Sequence, residues 1–408
     1  MLNNYRARTL TFTDLLIFGI VLLAMRLYTL FIPYSTAKAV VMLGEIIVLA
    51  FLIVHIVYDK ETHVPMRYRW LLGIILLSLI LATFASKVYH NQGFLDSIIS
   101  QYDFYFFLFY FLLHYLRPDP RKLLSMFLIF GYVYFFIYIT QFFVYPKVIV
   151  NSRILAERGT IRIFMPGLPF LFTSFFLLLG RFFITKRIRY ILMLLPLASI
   201  FIILGSRQLL ATVVLLTMIN ILLSRTIKSK LLTYIMIFLC IVPVFFMFEG
   251  ILNELLKTSQ RQFAVGLAEN IRFQAAYFFL ADFNTNFIWM LTGNGAPGSH
   301  SHYGDYIRML NENFGFYLED IGLIGDFVKF GVLFVIGQVL FLIKLLRTKL
   351  YEEYTFIRYN VMSIMLTMFS GSGLHSSVIA LICMMMYIAD VVEHDIILKS
   401  RKKAPAPI

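Results

Sequence analysis

The residues best suited to catalysis lie in one polar stretch, which runs from Glu249 to Asp320 between long apolar segments. His300 and His302 stand two residues apart in it, and an imidazole titrates near neutrality. Either histidine is therefore a candidate general base, or else an ordinary polar loop residue. Glu319 and Asp320 end the stretch, where they can orient a histidine, accept a proton or cap the next helix. A metal site is not expected, because no cysteine and no His-x-x-x-His spacing accompanies the histidines.

Arginines close to apolar segments form a second set of candidates. Arg207 directly follows Gly205 and Ser206 and opens an apolar helix, and a guanidinium at membrane depth is usually functional or paired. The free N–H groups at that helix start also favour an anion, with a snorkelling arginine as the alternative. Further cations outside the apolar runs are Arg153, Arg158, Arg162 and Arg272. Together they favour an anionic ligand such as a phosphate; contact with anionic lipid, or solvated loop charge, is the alternative.

A charged residue inside an apolar run needs a partner. Asp326 and Lys329 stand at i, i+3 and are expected to pair with each other. Glu45 is costly in mid-span unless it is paired, and Arg26 of the preceding segment is the candidate partner.

The composition indicates that membrane helices position these residues. The chain has 408 residues, of which 60% are hydrophobic and 14% are charged, and its mean hydropathy is +0.82. A soluble domain is about 45–50% apolar and about 25% charged. Continuous apolar runs of spanning length favour a polytopic helical protein over a membrane β-barrel, which shows short alternating segments. The net charge of +14 is better explained by cytoplasmic Lys and Arg than by nucleic acid.

We predict an all-α polytopic membrane protein in which residues 1–408 form a single membrane domain. Two runs, 190–224 and 358–391, are too long for one helix and too short for two full spans, so each is predicted to be a hairpin of short helices. Their turns fall at Gly205-Ser206-Arg207 and Gly371-Ser372-Gly373. With these hairpins counted as pairs, the twelve expected segments are 12–32, 39–58, 70–86, 96–116, 123–145, 164–183, 190–204, 207–224, 231–248, 321–343, 358–371 and 375–391.

The basic residues predict the orientation of the chain. With the N-terminus inside, 23 of the 36 lysines and arginines fall in or beside inner connections. This predicts cytoplasmic N- and C-termini and a large outer loop at residues 249–320. The first half of that loop is expected to form amphipathic helices on the membrane surface, and the second half a glycine-broken loop. His375 then faces the same compartment and is a secondary candidate.

The order of these motifs resembles the O-antigen polymerase and ligase family of bacterial membrane glycosyltransferases. The matching residues are GSRQLLA at 205–211, Arg272 in NIRFQAAYFFLADF, GNG at 293–295, HSHY at 300–303 and EDIGLIG at 319–325. The layout, with one large outer loop before the tenth span, is also similar. The resemblance implies a GT-C type enzyme without metal or other cofactor. Such an enzyme transfers a glycan, with inversion, from an undecaprenyl diphosphate carrier at the outer (periplasmic) face of the bacterial inner membrane.

The resemblance also implies roles for particular residues. His302 or His300 would activate the acceptor hydroxyl, with Asp320 and Glu319 as further catalytic candidates. Guanidinium groups suit a lipid diphosphate because they fork onto phosphate oxygens and stabilise the charge that develops there. The candidates for binding this diphosphate are Arg207, Arg272, Arg158, Arg162 and Tyr303.

Two activities remain open within this family. A polymerase passes the glycan to another lipid-linked repeat unit, whereas a ligase passes it to the lipid A core. Ser301 stands where the family often has asparagine, and the acidic element comes later than usual, which favours the polymerase. The expected partners are lipid-linked donor and acceptor glycans, the lipid bilayer, a flippase and a chain-length regulator, with no nucleic acid. A lipid-linked sugar transporter is the competing class, but it would carry charge through many spans and show a pseudo-repeat.

Overall fold

A computed structural model of the protein describes residues 11–31, 34–58, 64–157, 160–223, 270–283, 287–369 and 374–403. Its α-helices are α1 Phe12–Met25, α2 Tyr34–Tyr58, α3 Arg69–His90, α4 Phe94–Ser100, α5 Leu108–Leu116, α6 Pro120–Val144, α7 Leu168–Thr185, α8 Arg189–Ile203, α9 Arg207–Leu223, α10 Ile271–Tyr277, α11 Trp289–Thr292, α12 His302–Phe314, α13 Leu323–Arg347, α14 Phe356–Thr367 and α15 Ser376–Lys403. Short 3₁₀ helices lie at Leu27–Leu30, Tyr102–Phe107, Leu318–Ile321 and Glu352–Tyr354, and a π-helix at Phe278–Asp282.

Within the described part of the chain, six helices are long and apolar enough to cross a membrane, namely α2, α3, α6, α7, α13 and α15. This indicates a multi-pass membrane protein. Helices α1, α8 and α9 are apolar but shorter, with 10–17 residues. The count of twelve spans stays a prediction, and the expected span at 231–248 lies outside the described residues.

Helix α15 is the centre of the helix bundle. Of its most apolar 18-residue window, 89% is buried, and the helix packs against α1, α5, α6 and α7. Helix α2 lies at the periphery, with only 22% of its window buried, and it exposes Ile46, Ile53 and Val57. A continuous apolar surface of this kind suits contact with lipid tails, since hydrocarbon replaces the water that would make it unfavourable.

Close packing between α6 and α7 depends on a small residue. A Cβ on Gly131 of α6 would lie 2.1 Å from Ser174 Oγ of α7. The Ser174 hydroxyl donates a 2.7 Å hydrogen bond to the carbonyl of Phe127, so its polar atom is satisfied inside the bundle. The two helices come close enough for Phe127 and Phe130 to pack their rings against Phe170.

Two expected spans are interrupted where polar residues occur. Helix α1 ends at Met25, because Arg26 has a left-handed φ of 57° and a 3₁₀ helix follows. The 96–116 segment is divided into α4, the 3₁₀ helix at Tyr102–Phe107 and α5. Asp103 lies at this break and forms an ion pair with Arg26. The partner found for Arg26 therefore differs from the expected Glu45, whose Oε1 is buried without a hydrogen-bond partner.

The two predicted helical hairpins have different outcomes. Helices α8 and α9 are short, with 15 and 17 residues, and they are joined at Gly205. In the second hairpin α14 is also short, with 12 residues, but α15 has 28 and spans the bundle. The prediction of a short last helix is therefore wrong. The predicted turn at 371–373 lies outside the described residues.

The connection between the expected spans 123–145 and 164–183 is not a plain loop, as expected of an all-α protein, but forms a β-hairpin that extends to Phe164. Strands β1 Arg153–Glu157 and β2 Thr160–Phe164 pair antiparallel, with Arg153 opposite Phe164 and Leu155 opposite Arg162. Isoleucines and a threonine supply the β-branched side chains that a strand accommodates well. The guanidinium of Arg162 also lies over the Phe164 ring, 4.9 Å from its centroid.

The described part of the polar stretch packs around a small core of its own. Ala275, Phe279, Trp289, Ile307 and Leu310 are buried together against the start of α13. The apolar residues of α12 point into this core and stabilise the helix. Residues 302–314 are therefore helical, whereas the sequence predicted a glycine-broken loop there. Of the surface helices predicted over residues 251–283, residues 251–269 lie outside the described residues, and the remainder contains α10 and the π-helix.

One end of the bundle carries the β-hairpin, and we call it the hairpin end. Two sets of helix termini meet there: the ends of α1, α3, α6, α8 and α14, and the starts of α7, α9, α13 and α15. Backbone hydrogen bonds connect them, such as Asn151 N to Leu30 O (2.6 Å) and Leu323 N to Met368 O (2.7 Å). Basic residues of the described helices collect at the opposite end, among them Arg67, Arg117, Lys122, Arg189 and Lys344.

Candidate functional site

A cavity of about 870 Å³ lies at the hairpin end, and we call it the central cavity. Its walls come from the end of α1, the β-hairpin, α7, the starts of α9 and α15, the 3₁₀ helix at Leu318–Ile321, α13 and α14. The cavity therefore lies between segments from nearly the whole length of the chain.

Four arginines line the central cavity: Arg26, Arg153, Arg162 and Arg272. Arg153 and Arg162 lie on the same face of the β-hairpin, because residues 153 and 155 pair with 164 and 162. Arg162 Nε donates to the Leu204 carbonyl over 3.1 Å, which ties the hairpin to the end of α8. Such a concentration of guanidinium groups favours an anionic ligand.

The β-hairpin also packs against the Gly205 turn that the sequence had singled out. Thr160 Oγ1 donates to the Ile203 carbonyl over 2.8 Å, and a Cβ on Gly205 would lie 2.9 Å from Thr160 Cγ2. Gly205 has a φ of 59°, which glycine adopts without strain. Arg207 is half-buried at the first position of α9, and its neighbours Ser206 and Gln208 line the central cavity. Its role in diphosphate binding stays a prediction.

Arg26 is held in place by residues from two other helical segments. Its guanidinium pairs with Asp103, and its Nε donates to Ser376 Oγ over 3.1 Å. The Ser376 backbone N–H donates to the same Asp103 carboxylate over 2.9 Å, and Tyr102 lies beneath the guanidinium at 5.0 Å from its ring centroid. This network fixes the Arg26 guanidinium at the edge of the cavity. A ligand that binds it therefore costs less side-chain rotamer entropy than binding to a mobile arginine would.

Arg272 and Asp320 reach the cavity from the polar stretch. Arg272 lies in the first turn of α10, where the Asn270 side chain accepts its backbone N–H over 3.0 Å. Helix α10 packs against the 3₁₀ helix that carries Asp320. Both side chains are exposed, so they can meet a ligand that enters from solution.

His375 also lines the central cavity, just before α15 begins. The imidazole Nδ1 lies 2.9 Å from Ser377 Oγ, which orients the ring. Around it the wall is apolar, formed by residues of α9, α14 and α15 that include Leu209, Ile364 and Val378. The cavity thus combines cations at its rim with an apolar wall that suits a hydrocarbon chain.

Deeper in the cavity, a few polar side chains are almost fully buried. Asp326 is 1% exposed and pairs with Lys329 at 3.3 Å, as the i, i+3 spacing predicted. Asn360 Oδ1 accepts a 2.8 Å hydrogen bond from Thr173 Oγ1. Gln338 is 1% exposed, and its Oε1 has no hydrogen-bond partner. An acceptor in this state is available to a hydroxyl or an amide of a ligand.

His300 and His302 do not line the central cavity. Both side chains are exposed; His300 precedes α12 and His302 is its first residue. Tyr303 is 2% exposed and stacks on His90 at 3.9 Å, and burial raises the pKa of its phenol, so the hydroxyl stays neutral. The catalytic or binding roles of these three residues stay predictions. Arg158 lies outside the described residues.

The segment that contains the Gly293-Asn294-Gly295 motif is fixed to the bundle rather than exposed. Asn294 donates from its backbone and its side chain to the Val328 carbonyl, and its Oδ1 lies 3.1 Å from His90 Nε2. Farther along, Gln92 accepts from the Gly298 N–H over 2.8 Å and from the Ser301 hydroxyl over 2.7 Å. The motif is therefore part of the packed surface at the hairpin end of the bundle.

Sequence reasoning missed several residues of the cavity. The sequence marks Arg26 only as a charge within an apolar run, and it does not distinguish Arg153 from the neighbouring arginines. Gln338 and Asn360 gave no signal beyond being polar residues in apolar runs. Glu319 and Asp320 are adjacent in the sequence, but Glu319 lines a smaller cavity of about 500 Å³, which shares Arg26 with the central cavity.

No family model, curated protein or solved structure matches this chain.

Proposed function

We propose that this protein is a membrane glycosyltransferase that polymerises undecaprenyl-diphosphate-linked repeat units into O-antigen or a related surface polysaccharide. The observation that carries the proposal is the central cavity, which places four arginines beside an apolar wall at one end of a membrane bundle. A polyprenyl diphosphate has the matching chemistry, a charged head group and a hydrocarbon tail. The motif order that resembles the polymerase and ligase family supports the same assignment.

The proposed reaction joins two lipid-linked glycans. A hydroxyl oxygen of the acceptor attacks the anomeric carbon of the donor as the bond from that carbon to the diphosphate oxygen breaks. The electron pair of this bond stays on the diphosphate, and attack from the opposite face inverts the anomeric centre. The products are the elongated glycan on the acceptor's carrier and free undecaprenyl diphosphate.

The arginines of the central cavity would stabilise the leaving diphosphate. Charge grows on its bridging oxygen as the bond breaks, and fixed guanidinium groups there lower the barrier without reorganising. The proton of the acceptor hydroxyl needs a base, and among the described lining residues His375 and Asp320 are the groups suited to take it; Asp326 is engaged by Lys329.

We place this site on the outer face of the bacterial inner membrane, with both termini in the cytoplasm. Support comes from the basic residues that collect at the end of the bundle opposite the cavity, as the positive-inside rule requires of a cytoplasmic end. Lipid-linked repeat units would then reach the cavity after a flippase has moved them outward.

The test compares Arg153→Ala, Arg162→Ala and Arg272→Ala in a strain whose polysaccharide is resolved as a ladder. We expect each variant to lose long chains, because removal of one charge-stabilising donor slows such reactions by roughly 100-fold or more. Arg187→Ala is the matched control, since Arg187 is exposed at the opposite end. Complete ladders from all three variants, at normal protein levels, would refute the proposal. A strain that lacks this protein distinguishes the polymerase from a ligase. If polymer accumulated on its lipid carrier in that strain and did not reach lipid A, the protein would be a ligase.

A further inference from the structure

The smaller cavity of about 500 Å³, which we call the second cavity, lies beside the central cavity and differs from it in chemistry. Its walls come from the start of α2, the end of α4, residues 297–299 and α12. Polar groups line a large part of these walls, with amine, hydroxyl, guanidinium, amide and carboxylate functions from Lys38, Ser100, Arg308, Asn311 and Glu319.

Apolar groups make up a smaller share of the second cavity than of the central cavity, and they come from Pro297, Ile307 and the Tyr102 ring. A polyprenyl chain therefore finds less apolar surface to contact there than along the apolar wall of the central cavity. A mixture of donors and acceptors is what the hydroxyl groups of a saccharide require, since each hydroxyl both donates and accepts.

The walls of the second cavity are held by hydrogen bonds and an ion pair. Ser100 Oγ donates to the Ala296 carbonyl over 2.8 Å, and Gln92, which is 1% exposed, donates to the same carbonyl over 3.0 Å. Arg308 pairs with Asp305 at 3.2 Å and donates to the Ser299 carbonyl. A cavity with fixed walls binds a ligand with less loss of conformational entropy.

Arg26 lines both cavities, and so does the 3₁₀ helix at Leu318–Ile321. Two successive residues of that helix serve different cavities: Glu319 lines the second and Asp320 the central one. Ligands bound in the two cavities would therefore meet at Arg26 and this turn. Neighbouring sites of this kind give two reactants the proximity that a transfer reaction needs.

We infer that the second cavity binds the saccharide part of the acceptor, with Lys38 and Glu319 as its hydrogen-bonding groups, while the central cavity holds the donor's carrier diphosphate. The naming of acceptor and donor rests on the proposed function. Binding of a saccharide in the second cavity does not depend on it.

The test measures binding of two probes to the purified protein in lipid nanodiscs. One probe is the soluble oligosaccharide repeat released by mild acid from the surface polysaccharide of the native organism, and the other is undecaprenyl diphosphate. For Lys38→Met and Glu319→Gln we expect oligosaccharide binding to weaken about tenfold, because each removes a charged hydrogen-bonding group, with carrier binding unchanged. Lys87→Met and Glu312→Gln are matched controls, because both side chains are exposed and line neither cavity.

Oligosaccharide binding by Lys38→Met and Glu319→Gln at the control level would overturn the inference, as would an equal loss of both probes. Failure of the proposed function has a different signature. In that case undecaprenyl diphosphate would fail to bind the wild-type protein, or it would bind Arg153→Ala as tightly as the wild type. Either result is independent of how Lys38→Met and Glu319→Gln bind the oligosaccharide.

Discussion

Arg26 Nε donates a 3.1 Å hydrogen bond to Ser376 Oγ, although 350 positions separate the two residues. The bond joins the broken end of α1 to the start of α15, the most buried span of the bundle. Asp103 completes the junction by accepting from both residues. The Arg26 guanidinium thus has partners from two distant segments of the chain, and Arg26 lines both cavities.

Loss of Arg26 should destabilise this junction. We expect Arg26→Ala to lower the free energy of unfolding by about 1–3 kcal/mol, because the half-buried Asp103 carboxylate loses its charged partner. Asp103→Asn in the same background should recover part of the loss, since the unpaired charge is then gone. Thermal unfolding in detergent measures both effects. Equal stability of Arg26→Ala and the wild type would show that the ion pair contributes nothing.

Helix α13 is kinked at Gly331, which packs against Gly293, and this contact should tolerate no side chain. Gly331 has a φ of 77°, and a Cβ there would lie 2.2 Å from the Leu291 carbonyl oxygen. We expect Gly331→Ala to reduce the free energy of unfolding by about 2–4 kcal/mol through strain and overlap. The matched control is Gly73→Ala in α3, where a Cβ would meet nothing within 4 Å and helix propensity should increase stability slightly. A similar melting temperature for both variants contradicts this account.

Gln92 should determine how firmly the segment at 296–301 is held. Its side chain accepts from Gly298 and Ser301 and donates to Ser97 and Ala296. Gln92→Leu removes all four bonds, so we expect amide hydrogen exchange in residues 296–301 to become at least tenfold faster. Lys87→Met, in an exposed position of the preceding helix, provides the baseline. Unchanged exchange in Gln92→Leu would mean that other contacts hold the segment.

The positions of the four candidate proton acceptors predict an order of effects on polymerisation. His375 and Asp320 line the central cavity, whereas His300 and His302 are exposed outside it. We expect His375→Gln or Asp320→Asn to shorten the polysaccharide ladder more than the double variant His300→Gln/His302→Gln, because a base must lie within hydrogen-bond reach of the acceptor. Ladders quantified at matched protein levels decide the order. A complete loss in the double variant alone would return the role of base to His300 or His302.

Local sequence patterns determined much about this protein. Hydropathy indicated membrane helices, the Gly205 turn placed Arg207 at a helix start, and the i, i+3 spacing paired Asp326 with Lys329. Each of these features depends on residues within a few positions of one another, so periodicity and propensity suffice to predict them. The β-hairpin was the local feature missed, because its short alternation was obscured by the charges between the apolar residues.

Only the tertiary structure decided which distant residues share a cavity. Arg26, Arg153, Arg272 and His375 come from separate parts of the chain, and their meeting depends on how α1, the β-hairpin, α10 and α15 pack. Tertiary packing likewise buried Tyr303 and left His300 and His302 exposed, although the three lie within four residues. Hydropathy records the preference of each segment for lipid, but many helix arrangements satisfy it equally. Side-chain complementarity across the whole bundle selects one of them.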